Sequence, residues 1–148
     1  MMYFEGVEIN KEAVSPEYTI TKEEIISFAK KWDPYQFHTD EEEAKKWPLG
    51  LTASSIHSYA ICSMLANKIS TEWPAVIAAL GVDEMRMHAP VRPGDVLHCV
   101  SSVVSKRESK SKPDCGIVTA LNKLVNQKGE TALSYKVSSL ILKNPEPV

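Results

Sequence analysis

The sequence predicts an α+β fold in which one antiparallel sheet covers a central helix. Three observations carry that reading. Helical periodicities are confined to the first half of the chain, and from Val76 onward the pattern changes to long β-rich segments. The connections between those segments are short and rich in turn residues, which favours antiparallel pairing. At 148 residues and 43% hydrophobic, the chain can build one domain with a real core and is too short for two ordinary ones. Residues 1–148 are therefore read as a single domain.

Taken in order, the first 20 residues are irregular, with a short β-like piece from Glu17 to Ile20, and read as wrapping an edge. Thr21 followed by Glu24 is a capping-box pattern, and Ile25, Ile26, Ala29 and Trp32 then recur at helical spacing. Pro34 ends this first helix, because it pushes Asp33 out of the helical region. Thr39 with Glu42 gives a second capping signal. The short helix it opens is acidic at its start (Asp40, Glu41, Glu42) and basic at its end (Lys45, Lys46), as the helix dipole favours. After Pro48 and Gly50, the stretch LTASSIHSYAICSMLANKI places Ile56, Ala60, Ile61, Met64, Leu65 and Ile69 on one stripe, with His57, Ser58 and Lys68 away from it. This is the longest predicted helix. Thr52, Ser54 and Ser55 at its beginning suit an N-terminus whose free N–H groups can meet an oxyanion or phosphate.

Four β-rich segments follow: VIAALGVDEMRM, VLHCVSSVVSK, CGIVTALNKLVN and TALSYKVSSLILK. Turn chemistry separates them at Pro90 to Asp95, Arg107 to Asp114 and Asn126 to Glu130. Long apolar edge strands invite pairing with another chain, so a homodimer is expected.

Composition removes several classes of function. The net charge is −2 and the basic residues are dispersed, which argues against a nucleic-acid-binding surface and leaves room for a small phosphate-bearing ligand. The three cysteines, Cys62, Cys99 and Cys115, are odd in number and lack CxxC spacing, so buried reduced thiols are expected rather than a disulfide framework or structural zinc. The N-terminus has no basic region followed by an apolar run, and no run of about 18 apolar residues occurs. A soluble, cytoplasmic protein without a membrane partner is expected.

The candidate chemistry lies in DPYQFH. A carboxylate on a turn, Asp33, precedes His38 by five residues, and the pair offers a base and a proton donor near neutral pH. The same residues equally suit a turn acceptor and a packing ring beside Phe37. His88 and His98 have no partners at metal-ligand spacing and read as structural. The run Arg107 to Lys112 reads as solvated, although it, Arg86 and Arg92 are the basic groups available to phosphates. Ser58 and Cys62 have neither a GxSxG elbow nor a visible Cys-His pairing, so covalent catalysis is not expected.

The segments FAKKWDPYQFHTDEEEAKK, PLGLTASSIHSYA, DEMRMHAPVRPGD, KRESKSKPDCGIV and NQKGET resemble the MaoC-like dehydratase domain family of the hot-dog fold, which includes (R)-specific 2-enoyl-CoA hydratases. The resemblance implies a long central helix wrapped by an antiparallel sheet, with Asp33 and His38 as catalytic pair and Ser55 as the oxyanion-binding N–H. It implies reversible hydration of trans-2-enoyl-CoA to (R)-3-hydroxyacyl-CoA, with an acyl-CoA or acyl-carrier-protein thioester as partner and a homodimer or higher homo-oligomer. Tyr35, Phe37, Ser54, His57, Arg86 and Arg92 are the assigned substrate contacts. No metal or redox cofactor is called for, since the thioester supplies the activation. The family signature Asp-any-Asn-Pro-any-His is varied here, with Tyr35 in place of Asn and Gln36 in place of Pro, and Ser55 stands where a glycine is expected. Two other functions fit the same scaffold: an acyl-CoA thioesterase, and a non-catalytic acyl-thioester binding or assembly subunit, to which Tyr35, Gln36 and Ser55 point.

Overall fold

Three of the four helices of the first half begin where a side chain takes an unpaired N–H of the first turn. A computed structural model describes residues 1–146 of the chain. The first helix, α1 (Lys22–Trp32), starts at Thr21, whose hydroxyl accepts from the Glu24 N–H at 3.2 Å. It is followed by two single turns, α2 (Gln36–Thr39) and α3 (Glu41–Ala44), and by α4 (Ser55–Ala66). The cap of α3 is not Thr39 as the capping-box spacing predicts. Asp40 accepts from both Glu42 N–H and Glu43 N–H, while the Thr39 hydroxyl donates to the Tyr35 carbonyl. A carboxylate one residue nearer the turn captures two donors where the threonine would take one.

The four β-rich segments form long strands, β3 (Val76–Met87), β4 (Val96–Glu108), β5 (Cys115–Val125) and β6 (Thr131–Leu142). Two short strands, β1 (Ala13–Val14) and β2 (Tyr18–Thr19), both pair with β4. The sheet runs β1-β4-β5-β6-β3 and every strand pair is antiparallel. Consecutive pairing holds for β4, β5 and β6 but not for β3, which pairs with β6. The reason lies in the connection 88–95. It runs past the residues that lead into α4, where the Ala53 N–H donates to the Val91 carbonyl at 2.8 Å, and so delivers the chain to the far side of the sheet.

The sheet wraps α4. Ile61, Cys62 and Leu65 of the helix share one buried cluster with Leu97, Cys99, Leu124, Leu133 and Tyr135 of the strands. The buried stripe differs from the predicted one. His57, Ser58, Ile61, Cys62 and Leu65 face inward, whereas Ile56 and Ala60 face out. Nearly every residue of this helix is apolar or small, so hydrophobicity marks no face and contact with the sheet chooses it. Among the described residues no helix is long and apolar enough to cross a membrane.

A second, smaller cluster lies beyond the first along the same face of the sheet. Phe4, in a 3-10 turn at Phe4–Gly6, packs with Val7, Ala75, Val118 and Ile141. Lys106 holds this segment down by donating to the carbonyls of Phe4, Glu5 and Val7 at 3.2, 3.4 and 2.8 Å, with its ammonium 5.1 Å from the centre of the Phe4 ring. The Phe4 ring lies against Gly116 of β5, where a Cβ would come within 2.2 Å of ring carbons. Gly116→Ala should therefore lift Phe4 out of its notch and cost about 1–3 kcal/mol in chemical denaturation. Pairing it with Phe4→Leu should recover part of the loss, and a neutral Gly116→Ala would show that the ring is free to move aside.

Candidate active site

Two pieces of backbone that are distant in sequence exchange hydrogen bonds at the base of the site. The chain leaves α1 at Asp33, whose N–H bonds the Ala29 carbonyl and whose backbone (φ −156°, ψ 74°) is no longer helical, as Pro34 requires. It turns at once into α2, which carries Phe37 and His38. The Thr52 N–H donates to the Phe37 carbonyl at 3.4 Å, and the buried His38 ring returns a bond from Nδ1 to the Thr52 carbonyl at 2.5 Å. A carbonyl can only accept, so this bond places the proton on Nδ1 and leaves Nε2 of the neutral ring as a bare acceptor. Among the described residues, the half-buried Asp33 carboxylate has no hydrogen-bond or ion-pair partner and so is not engaged structurally.

Thr52 leads into α4. Ser54 caps the helix and is wholly buried, its Oγ accepting from the His57 N–H at 3.1 Å and its carbonyl from the Ser58 N–H. Among the described residues, the N–H groups of Ser54, Ser55 and Ile56 have no acceptor within the chain. Three donors at a helix N-terminus, one turn beyond the residue that anchors His38, form a ready anion-binding surface.

The remaining predicted contacts divide. Tyr35 and Phe37 are stacked with ring centres 5.4 Å apart, and Trp47 meets Phe37 edge-on at 5.7 Å, which makes an aromatic wall with Tyr35 and Trp47 exposed. Trp47 was not singled out by the sequence; its position before Pro48 and Gly50 was the available signal. Arg92 is drawn toward the approach to α4, its guanidinium donating to the Leu49 carbonyl in the turn that Gly50 completes with φ 68°. Arg86 stays apart, exposed on β3 and bonded to the carbonyl of its own neighbour Met85.

His57 faces inward rather than away from the core. Its ring stacks on Phe28 of α1 with centres 4.2 Å apart, and its Nε2 lies 3.2 Å from the Glu24 carboxylate. Burial holds its pKa below the ordinary value, against the opposing pull of Glu24, so the ring is neutral at pH 7. The Tyr18 hydroxyl donates to the same carboxylate oxygen at 2.6 Å, and that bond pushes its pKa up to about 12. Neither Tyr18 nor Glu24 stood out in the sequence as a site residue. The capping-box glutamate was a signal, but it pointed to a local bond that Glu24 does not make.

A family model described as a MaoC like domain matches residues 6–126. The chain belongs to the MaoC-like domain family. The uncharacterized protein YdeM of Bacillus subtilis is 32% identical to it over 123 residues, covering 82% of this chain and 86% of that one. The crystal structure of a MaoC-like dehydratase from Rhodospirillum rubrum superposes with a TM-score of 0.90 at 31% identity, covering 99% of this chain and 100% of the other. An unliganded (R)-hydratase from Pseudomonas aeruginosa, at 20% identity, shares the fold with a TM-score of 0.77 over 97% and 87% of the two chains. The helix-in-sheet architecture of this MaoC-like domain is the hot-dog fold.

In the MaoC-like domain the Ser54 cap is where stability and site geometry meet. Ser54→Ala should cost about 1 kcal/mol in urea denaturation, because it leaves the buried His57 N–H without its acceptor. An unchanged midpoint would mean that the first turn of α4 is held by other contacts.

Proposed function

We propose that this chain is a hydro-lyase that adds water reversibly to trans-2-enoyl thioesters to give (R)-3-hydroxyacyl thioesters. The observation that carries the reading is the Nδ1 bond of His38 to the Thr52 carbonyl, one turn before the free N–H groups of α4. That bond places a proton on Nδ1, so that a neutral ring presents Nε2 as an acceptor, and an unengaged carboxylate stands on the preceding turn. Membership in the MaoC-like hot-dog dehydratase family supports the same class of reaction.

In this mechanism one water is held between the Asp33 carboxylate and His38 Nε2, each accepting one of its protons. As the water oxygen attacks C3, Asp33 takes a proton and the electrons of the double bond move onto the thioester oxygen. The N–H groups at the start of α4, that of Ser55 among them, meet the charge there; one such donor is typically worth roughly 3–4 kcal/mol. The enolate then collapses, and C2 takes its proton from the acid formed at Asp33. In this reading the Nδ1 bond makes His38 an orienting acceptor for the water. Tyr35, Phe37 and Trp47 wall the approach, and Arg92 is the better placed of the two arginines for a CoA phosphate.

Wild-type protein should remove the absorbance of the conjugated enoyl thioester in crotonyl-CoA, and Asp33→Asn should lower that rate by about 10²–10⁴-fold with an unchanged melting temperature. Release of free thiol without loss of the double bond would instead select a thioesterase. Saturable acyl-CoA binding with no turnover would select a binding subunit.

The active unit in this reading is a homodimer joined through β3. Val76, Ile77, Leu80, Val82 and Met87 of this strand are 40–54% exposed, and among the described residues β3 pairs through one edge only, to β6. Such an apolar strand with a free edge calls for another strand. A second copy of β3, antiparallel about a two-fold axis, satisfies both sides equally. Leu80→Lys should shift the molecular mass seen by light scattering from dimer to monomer. A monomeric wild type would sink the dimer and leave the chemistry to be judged separately.

A further inference from the structure

The proposed chemistry needs a fixed separation between Asp33, at the end of α1, and the N–H groups at the start of α4. Those two helices meet through few groups. Phe28 of α1 stacks on the His57 ring, and Glu24 of α1 lies 3.2 Å from His57 Nε2. Among the described residues, this Glu24 to His57 bond is the only hydrogen bond between α1 and α4. The start of α4 is thus held at three points: Thr52 is bonded to α2, Ala53 to Val91 of the connection 88–95, and His57 to α1.

The glutamate is withdrawn from local duty to make this contact. Thr21 and Glu24 have capping-box spacing, and the Thr21 hydroxyl does accept from the Glu24 N–H. The Glu24 carboxylate, however, takes the Tyr18 hydroxyl at 2.6 Å and the His57 ring instead of reaching back to the Thr21 N–H. Through Tyr18 the link continues into the sheet, because β2 pairs with β4 at Tyr18 and Leu97. The arrangement has a cost that packing alone does not explain. His57 Nδ1 is buried without any partner, which a phenylalanine at the same place would avoid while keeping the stack on Phe28. What the histidine adds is one directional bond to α1.

We propose that Tyr18, Glu24 and His57 are positioning residues that clamp the first turn of α4 against α1 and so set the distance between the Asp33 carboxylate and the oxyanion-binding N–H groups. The proposal rests on the hydratase reading for its effect on turnover, but the clamp itself is readable without substrate. None of the three residues takes part in the proton transfers. They act through the placement of groups that do, and a misplacement of about 1 Å can lower a rate about 10²-fold.

The test compares Glu24→Ala, Glu24→Gln and His57→Phe by crotonyl-CoA hydration and by amide hydrogen exchange at His57 and Ser58. His57→Phe preserves the stack and guards against a simple folding defect in Glu24→Ala. Glu24→Ala and His57→Phe should each lower kcat by about 10–100-fold with KM within about threefold, and their combination should be no worse than either alone. Glu24→Gln, whose amide oxygen can accept both bonds, should recover kcat to within about threefold of wild type. Exchange at His57 and Ser58 should accelerate in the two disrupting variants and not in Glu24→Gln. Unaltered exchange in both disrupting variants would overturn the clamp, as would additive losses or full kcat in both. A wild type that turns over no enoyl thioester would remove the hydratase reading, and the exchange comparison would still decide the clamp.

Discussion

Burying one face of α4 against the concave side of the sheet is the constraint on which the rest of the molecule depends. Ile61, Cys62 and Leu65 are buried in one cluster with Leu97, Cys99, Leu124 and Leu133, so helix and sheet cover one another. The contact is specific as well as apolar. The Cys62 and Cys99 sulfurs are 3.8 Å apart, and their hydrogen bond together with burial pushes the Cys62 thiol well up, so it stays protonated. The Tyr135 ring meets Tyr59 edge-on, and its hydroxyl accepts from Asn122, which in turn accepts from Ser101. A helix seated on such fixed partners cannot rotate, and its N-terminus is delivered to one place.

Much of this was legible in the sequence because the signals were local. The four long strands fall where the β-rich segments lie, and α1 begins at Thr21 and ends before Asp33 because capping and proline geometry act within a few residues. What was not legible depended on contacts between distant residues. The face of α4 could not be read from a helix apolar nearly all round, and the partner of β3 could not be read from a short connection that crosses to the other side of the sheet. Thr39 lost the cap of α3 to Asp40 for a local reason, the stronger acceptor winning.

The candidate site shows the same division. Asp33 and His38 were visible as a turn carboxylate followed by an imidazole, and the hydroxyl-rich start of α4 as a set of free donors. The bonds that join them were invisible, because the main-chain groups of Thr52 carry no sequence signature. His57 was assigned to the helix surface and lies in the interior, since its environment is made by Glu24 and Phe28 more than twenty-five residues earlier. Sequence patterns name the groups that can do chemistry, and tertiary hydrogen bonds decide which tautomer and which face they present.

The strand order also governs how the molecule is made. Among the described residues β3 pairs only with β6, and β4 and β5 lie between them in the chain, so during synthesis β3 waits without a strand partner until β6 leaves the ribosome. At about 5–20 residues per second that wait lasts a few seconds, with the apolar surfaces of β3 and α4 both uncovered. Contacts between residues so far apart in sequence also make folding slow. The nascent chain is therefore most prone to aggregate in this interval, when recruitment of a holdase chaperone would matter most.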